Sequence, residues 1–213
     1  MGLLIFLCGL SLARRLMSIK SLTLRCDYDV GLLEDYARLR DLAIIPVSES
    51  YDQWYAEAII FRSGKPTLIL PEKLHPRPFE LKTIVIAWDF SRRAVRAIAD
   101  SMPILERAKN IRIVTVTNEK VIDTKRSVEE LTKNLSRHSV DVVLDKVDAD
   151  GRPISAALES HALSCGADLL VMGAYGLSLP GVRSWRCNQE HAVETAPPDL
   201  VLTLTGMSTS GSP

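Results

Sequence analysis

The sequence predicts an α/β protein: an open parallel sheet with helices on both faces. Three observations predict it. Several short runs are apolar almost end to end, as in Thr83-Ile-Val-Ile-Ala-Trp88 and Leu169-Leu-Val-Met172, and such runs fit strands covered on both faces. Between them lie stretches whose apolar residues recur at helical spacing. The two kinds of segment alternate, which is the pattern of a parallel sheet joined by right-handed crossovers.

Leu32, Tyr36 and Leu39 recur at helical spacing, so a helix is expected over Leu32–Arg40. Leu42–Val47 reads as a short buried strand. Trp54–Ser63 reads as a helix with Ala56, Ile59 and Ile60 apolar, and Gly64 suits its C-terminal cap. Thr67–Leu70 is a further strand between Pro66 and Pro71. The stretch after it carries Pro76 and Pro78, is polar, and reads as a linker.

The pattern then sharpens. Thr83–Trp88 is a strand. Ser91–Ala108 is a helix with Val95, Ile98, Met102 and Leu105 on one face and Ser91 as its N-cap. Ile111–Val116 is a strand. Val128, Leu131 and Leu135 mark a helix ending near His138, and Val140–Val147 is a strand. Pro153–Cys165 is a helix with Pro153 in its first turn, Ile154, Leu158 and Cys165 inward, and Gly166 as its cap. Asp168–Ala174 is a strand. Asp199–Leu204 has strand composition, while Met207–Pro213 is expected to be disordered.

Bulk properties exclude several classes. The 213 residues carry 26 Lys+Arg and 26 Asp+Glu, so no net charge draws the whole molecule to nucleic acid or anionic lipid. Cys8, Cys26, Cys165 and Cys187 lie far apart without a CxxC. Neither a zinc site nor a dense disulfide framework is expected, and reduced thiols in a cytoplasmic protein are. The opening run Leu3–Ala13 is far short of the ~20 apolar residues that span a bilayer. Arg14 and Arg15 follow that run, where a signal peptide would place charge before it.

In a parallel sheet, ligands sit at the carboxyl ends of the strands. Asp89 directly follows one strand, and Gly173-Ala-Tyr-Gly176 follows another. A carboxylate can accept from a ribose or an adenine amine, and glycines let main-chain amides approach phosphate oxygens. Each also has a plain structural reading. Asp89 suits the start of the following helix, and the glycines suit a tight turn. No nucleophile and base are spaced as a pair. His75, His138, His161 and His191 are scattered and suit core or capping positions. Glu129, Glu130, Asp148 and Asp150 suit solvated faces and a turn, and Trp54 and Trp88 suit core or interface. No enzyme activity is expected.

Ile84-Val-Ile-Ala-Trp-Asp89-Phe-Ser91 resembles the start of a universal stress protein domain. Gly166-Ala-Asp-Leu-Leu-Val-Met-Gly-Ala-Tyr-Gly176 resembles its late segment. The resemblance implies an adenine nucleotide alpha hydrolase-like, Rossmann-like sheet of five strands, in tandem with one partial copy. It divides the chain into a poorly specified N-terminus (1–29), a partial first unit (30–72), a linker (73–80), a second unit (81–177) and an aberrant C-terminal segment (178–213). It further implies a stress-response role and a site for ATP or AMP. Asp89, Val116, Gly173 and Gly176 stand at the family's binding positions.

After Gly176 the family places nine residues, then Gly and a Ser or Thr. Here that count reaches Arg186 and Cys187, so the phosphate side of the cradle is expected to be weakened or lost. In the upstream copy, Val47-Ser-Glu-Ser50 stands where a glycine loop belongs. Read one nucleotide late, the degenerate codons of Trp185–Val193 permit Gly-Gly-Ala-Thr-Lys-Ser-Met-Leu, the family's missing string. Those of Ser178–Trp185 permit a fitting spacer. A frameshift near Ser178 accounts for both. Three functions compete: a nucleotide-binding stress protein, an interaction module that forms a homodimer through a sheet edge without nucleotide, and an enzyme. A marginally stable fold is expected.

Overall fold

The computed structural model describes residues 3–8, 22–26, 30–47, 53–71, 81–117, 124–174 and 200–204. Fourteen elements run in the order β1 (Leu3–Cys8), β2 (Leu22–Cys26), α1 (Val30–Arg38), β3 (Leu42–Val47), α2 (Gln53–Arg62), β4 (Thr67–Pro71), β5 (Thr83–Ala87), α3 (Arg92–Leu105), β6 (Asn110–Thr117), α4 (Thr124–Arg137), β7 (Val142–Asp148), α5 (Ile154–Ser164), β8 (Leu169–Gly173) and β9 (Leu200–Leu204).

The strands form one nine-stranded sheet in the order β2-β1-β3-β4-β9-β8-β5-β6-β7. From β9 to β7 every neighbour pair is parallel. β3 and β4 are also parallel, with Ile45 opposite Ile69. The two parallel blocks meet antiparallel between β4 and β9, where Leu68 faces Leu202. β1 and β2 form an antiparallel ladder, and β1 joins the edge of β3 through Phe6 opposite Ile44. Neither N-terminal strand is foreseen from the sequence, because the Leu3–Ala13 run matches no helical or alternating period that would mark an element. β9 forms where strand composition places it, completing a five-stranded parallel block.

Alternation along the central strands divides the core in two. Val85, Leu170 and Met172 point to a cluster containing Leu33, Ala37, Ile59, Leu158 and Ala162, contributed by α1, α2 and α5. Ile84, Ile86, Leu169 and Val171 point the other way, to Ala94, Ala97, Ile98 and Leu135 of α3 and α4. Helices therefore cover both faces, as the continuous apolar strands require. The nearly buried Glu34 accepts from Arg62 at 3.3 Å and Arg38 at 3.5 Å, an ionic link between α1 and α2.

Most helix ends follow the sequence signals. Ser91 caps α3, its hydroxyl accepting from the Ala94 amide. Gly64 and Gly166 follow their helices with φ of 69° and 59°, the left-handed region that favours glycine. Three expectations need correction. α1 runs Val30–Arg38 and buries Val30, Leu33 and Ala37, so Leu32 and Leu39 of the expected stripe are exposed. α3 stops at Leu105, not Ala108, two residues after Pro103 removes an amide from its last turns. Val95 is exposed, because α3 buries the stripe Ala94, Ala97, Ile98, Ser101 and Leu105. Ala94, Ala97 and Ser101 are small, so this stripe comes closer to the sheet than one led by Val95 could. The linker region 72–80 and the tail Met207–Pro213 lie outside the described residues.

Candidate functional site

Strands β8, β5 and β6 lie side by side and point the same way, so their carboxyl ends form one rim. Ala87 stands opposite Val114, and Ile86 opposite Val171. Two more residues along these registers bring Asp89 level with Val116, and Trp88 level with Gly173. The Trp88 amide donates to the Val114 carbonyl at 2.9 Å, carrying the ladder past the end of β5. Three of the four residues singled out from sequence thus share this rim. The fourth, Gly176, lies outside the described residues, as does the segment 175–199.

Asp89 is exposed, and its Oδ1 accepts from the Ser91 amide at 2.9 Å. Ser91 Oγ in turn accepts from Ala94 N at 3.1 Å. Two short side-chain turns in series therefore lead β5 into α3. Phe90, between them, has φ of 60°, a costly conformation for a bulky residue. Its ring meets Trp88 edge-on with centroids 5.3 Å apart. Oδ2 of Asp89 has no hydrogen-bond partner among the described residues, so the carboxylate serves the turn with one oxygen and can serve a ligand with the other. The buried Trp88 Nε1 also lacks a partner among the described residues.

Gly173 ends β8 directly beneath the first turn of α3. A Cβ there would stand 2.8 Å from Arg93 Cβ and 3.1 Å from Ala94 N. Packing alone therefore demands glycine, and it brings a helix N-terminus beside the rim, where the macrodipole favours anions. Val116 packs its half-buried side chain against the α5-side core. The sequence gives no sign of Arg93 or Phe90 as parts of this site. Their role comes from a close approach and a positive φ, which no residue pattern encodes.

A second polar cluster lies between α5 and strands β6 and β7. Arg112 forks onto Asp145, with Nε to Oδ2 at 2.6 Å and Nη2 to Oδ1 at 2.8 Å. His161 Nε2 lies 3.0 Å from Asp145 Oδ2 and 3.5 Å from Cys165 Sγ. Burial pushes the Asp145 carboxyl upward, but hydrogen bonds from Arg112 and His161 outweigh it and hold the group below the usual carboxylate range. Glu159, on the same helix, is pushed up by burial.

No family model matches this chain, and no curated protein does. Among solved structures it is similar to a universal stress protein from Archaeoglobus fulgidus DSM 4304, with a TM-score of 0.58 and 16% identity over 84% of this chain. The match spans 66% of the archaeal chain. It is also similar to a universal stress protein family member from Burkholderia pseudomallei, with a TM-score of 0.42 and 16% identity over 59% of this chain and 97% of that one. The first likeness establishes the fold, an α/β sheet of the universal stress protein type. Among the described residues, no helix is long and apolar enough to cross a membrane.

Proposed function

We propose that this chain is a universal stress protein-like stress-response protein with half of an adenine-nucleotide cradle. The observation that carries this reading is the convergence of Asp89, Val116 and Gly173 on one rim at the carboxyl ends of adjacent parallel strands. Oδ2 of Asp89, without a partner among the described residues, suits a ribose hydroxyl, and the rim between β5 and β6 suits an adenine. The phosphates depend on main-chain amides after Gly173, where the sequence lacks the Gly-Ser/Thr that would close over them. ATP or AMP is the ligand class, held weakly. The role is binding, without turnover.

Titration of the full chain with a fluorescent ATP analogue tests this. Saturable weak binding that Asp89→Ala removes supports it. Absence of saturation into the millimolar range, with Asp89→Ala indistinguishable, refutes it.

A second reading has its own support. β7 ends the sheet order, and Val143 and Leu144 on it are 51% and 45% exposed. An apolar edge strand is a template for pairing. On this reading the chain is an interaction module that dimerises through β7 without nucleotide. Light scattering on the eluted protein decides: a ligand-free dimer supports it, a monomer does not.

A further inference from the structure

Asp145, His161 and Cys165 each offer one donor atom, and these atoms all lie within 4.8 Å of one another. The fold builds this convergence from two elements. His161 and Cys165 are four residues apart on α5 and its C-cap, so they share a face of the helix. Asp145 sits mid-strand in β7, opposite Val114 in register, on the face that α5 covers. Its register partner Val114, and Val147 two residues along β7, both belong to the apolar cluster that α5 covers.

We propose that Asp145 Oδ2, His161 Nε2 and Cys165 Sγ form a zinc(II) site with a fourth position left to water. Zinc takes nitrogen at about 2.0–2.1 Å, oxygen at about 2.0–2.2 Å and sulfur at about 2.3 Å in a tetrahedron. Those lengths separate N from S by roughly 3.5 Å and N from O by roughly 3.3 Å. The structure gives 3.5 Å and 3.0 Å. One thiolate, one imidazole and one carboxylate make a donor set of borderline softness, which suits zinc over magnesium or calcium.

Arg112 has a defined part. Its guanidinium forks onto both oxygens of Asp145, Nη2 on Oδ1 and Nε on Oδ2, and so fixes the carboxylate plane while Oδ2 meets the metal through its second lone pair. Asp145 and His161 side chains are each only 15% exposed, while Arg112 at 34% leaves a way in from solvent. On binding, the thiol proton of Cys165 and any proton on His161 Nε2 pass to solvent. Helical spacing brings Cys165 to His161, and the packing of α5 on β7 adds Asp145 as a third donor. The site is separate from the strand-end rim, so it stands or falls independently of the nucleotide reading.

The test titrates tag-free full-length protein, stripped with chelator, with cobalt(II) as an optical stand-in for zinc. The expected result is saturation at one cobalt per chain, with a thiolate-to-cobalt charge-transfer band that zinc bleaches. Cys165→Ser removes the band, and His161→Gln weakens binding more than about tenfold. A variant with Cys8, Cys26 and Cys187 all changed to Ser keeps it. Peptide mapping after iodoacetamide shows zinc shielding Cys165 from alkylation in the unmutated chain, which needs no variant to fold. A band that survives Cys165→Ser, or alkylation of Cys165 that zinc leaves unchanged, overturns the proposal.

Discussion

Gly173 and Arg93 approach so closely that a Cβ on the glycine would stand 2.8 Å from the Cβ of the arginine. The neighbouring backbone at Arg93 and Ala94 is 3.0–3.1 Å away. Helix α3 therefore sits on β8 only because that position lacks a side chain. Gly173→Ala must push the first turn of α3 off the rim. A loss of about 1–3 kcal/mol is expected from overpacking, read by denaturant unfolding. A variant as stable as the parent would show that α3 yields freely.

The two oxygens of Asp89 separate structure from binding. Asp89→Asn keeps an oxygen for the Ser91 amide but removes the charge offered to a ribose. It should melt like the parent and bind adenine nucleotide about tenfold or more weakly. Ser91→Ala removes the N-cap of α3 and should cost about 1 kcal/mol. Equal loss of stability in both variants would make Asp89 a turn residue only.

Two carboxylates on either side of the α5 packing titrate with opposite sign. Asp145 has a folded-state pKa below its unfolded value. Its stabilisation is complete above the unfolded value near pH 4 and is lost as pH falls through the folded one. Glu159 has a folded-state pKa above its unfolded value. Its contribution is complete below the unfolded value and is lost as pH rises through the folded one. In chelator, Asp145→Asn should therefore flatten the acid limb of the melting profile. Glu159→Gln should raise the midpoint at neutral pH and lose that gain below about pH 4. A neutral-pH loss on Glu159→Gln would mean that the ionised form is stabilised.

The gene itself carries a prediction. Sequencing across codons 176 to 195 should show that the frame one nucleotide late encodes the Gly-Gly-Ala-Thr-Lys-Ser string. Any other encoded string removes the frameshift account.

What the sequence made legible follows from where the information is local. β3 occupies its expected Leu42–Val47, because an apolar run between turn residues is a local signal. α5 and its glycine cap were legible for the same reason, and the rim residues because strand ends can be counted. The buried stripe of α3 was offset by one residue. Spacing alone allows Val95 or Ala94, and the closeness to Gly173 chooses the smaller. Asp145 was illegible as a partner of His161. Sixteen residues separate them in sequence, and only the packing of α5 on β7 joins them. The i, i+4 spacing of His161 and Cys165 was visible, but a two-ligand pair without its third member points to no site.

On the proposed reading the cradle keeps its adenosine side and lacks its phosphate side. Calorimetric titration of the full chain with adenosine and with ATP separates the two sides. Both should bind weakly, within about tenfold of each other, and Asp89→Ala should abolish both. ATP binding about a hundredfold or more tighter than adenosine would mean that the phosphate side is intact.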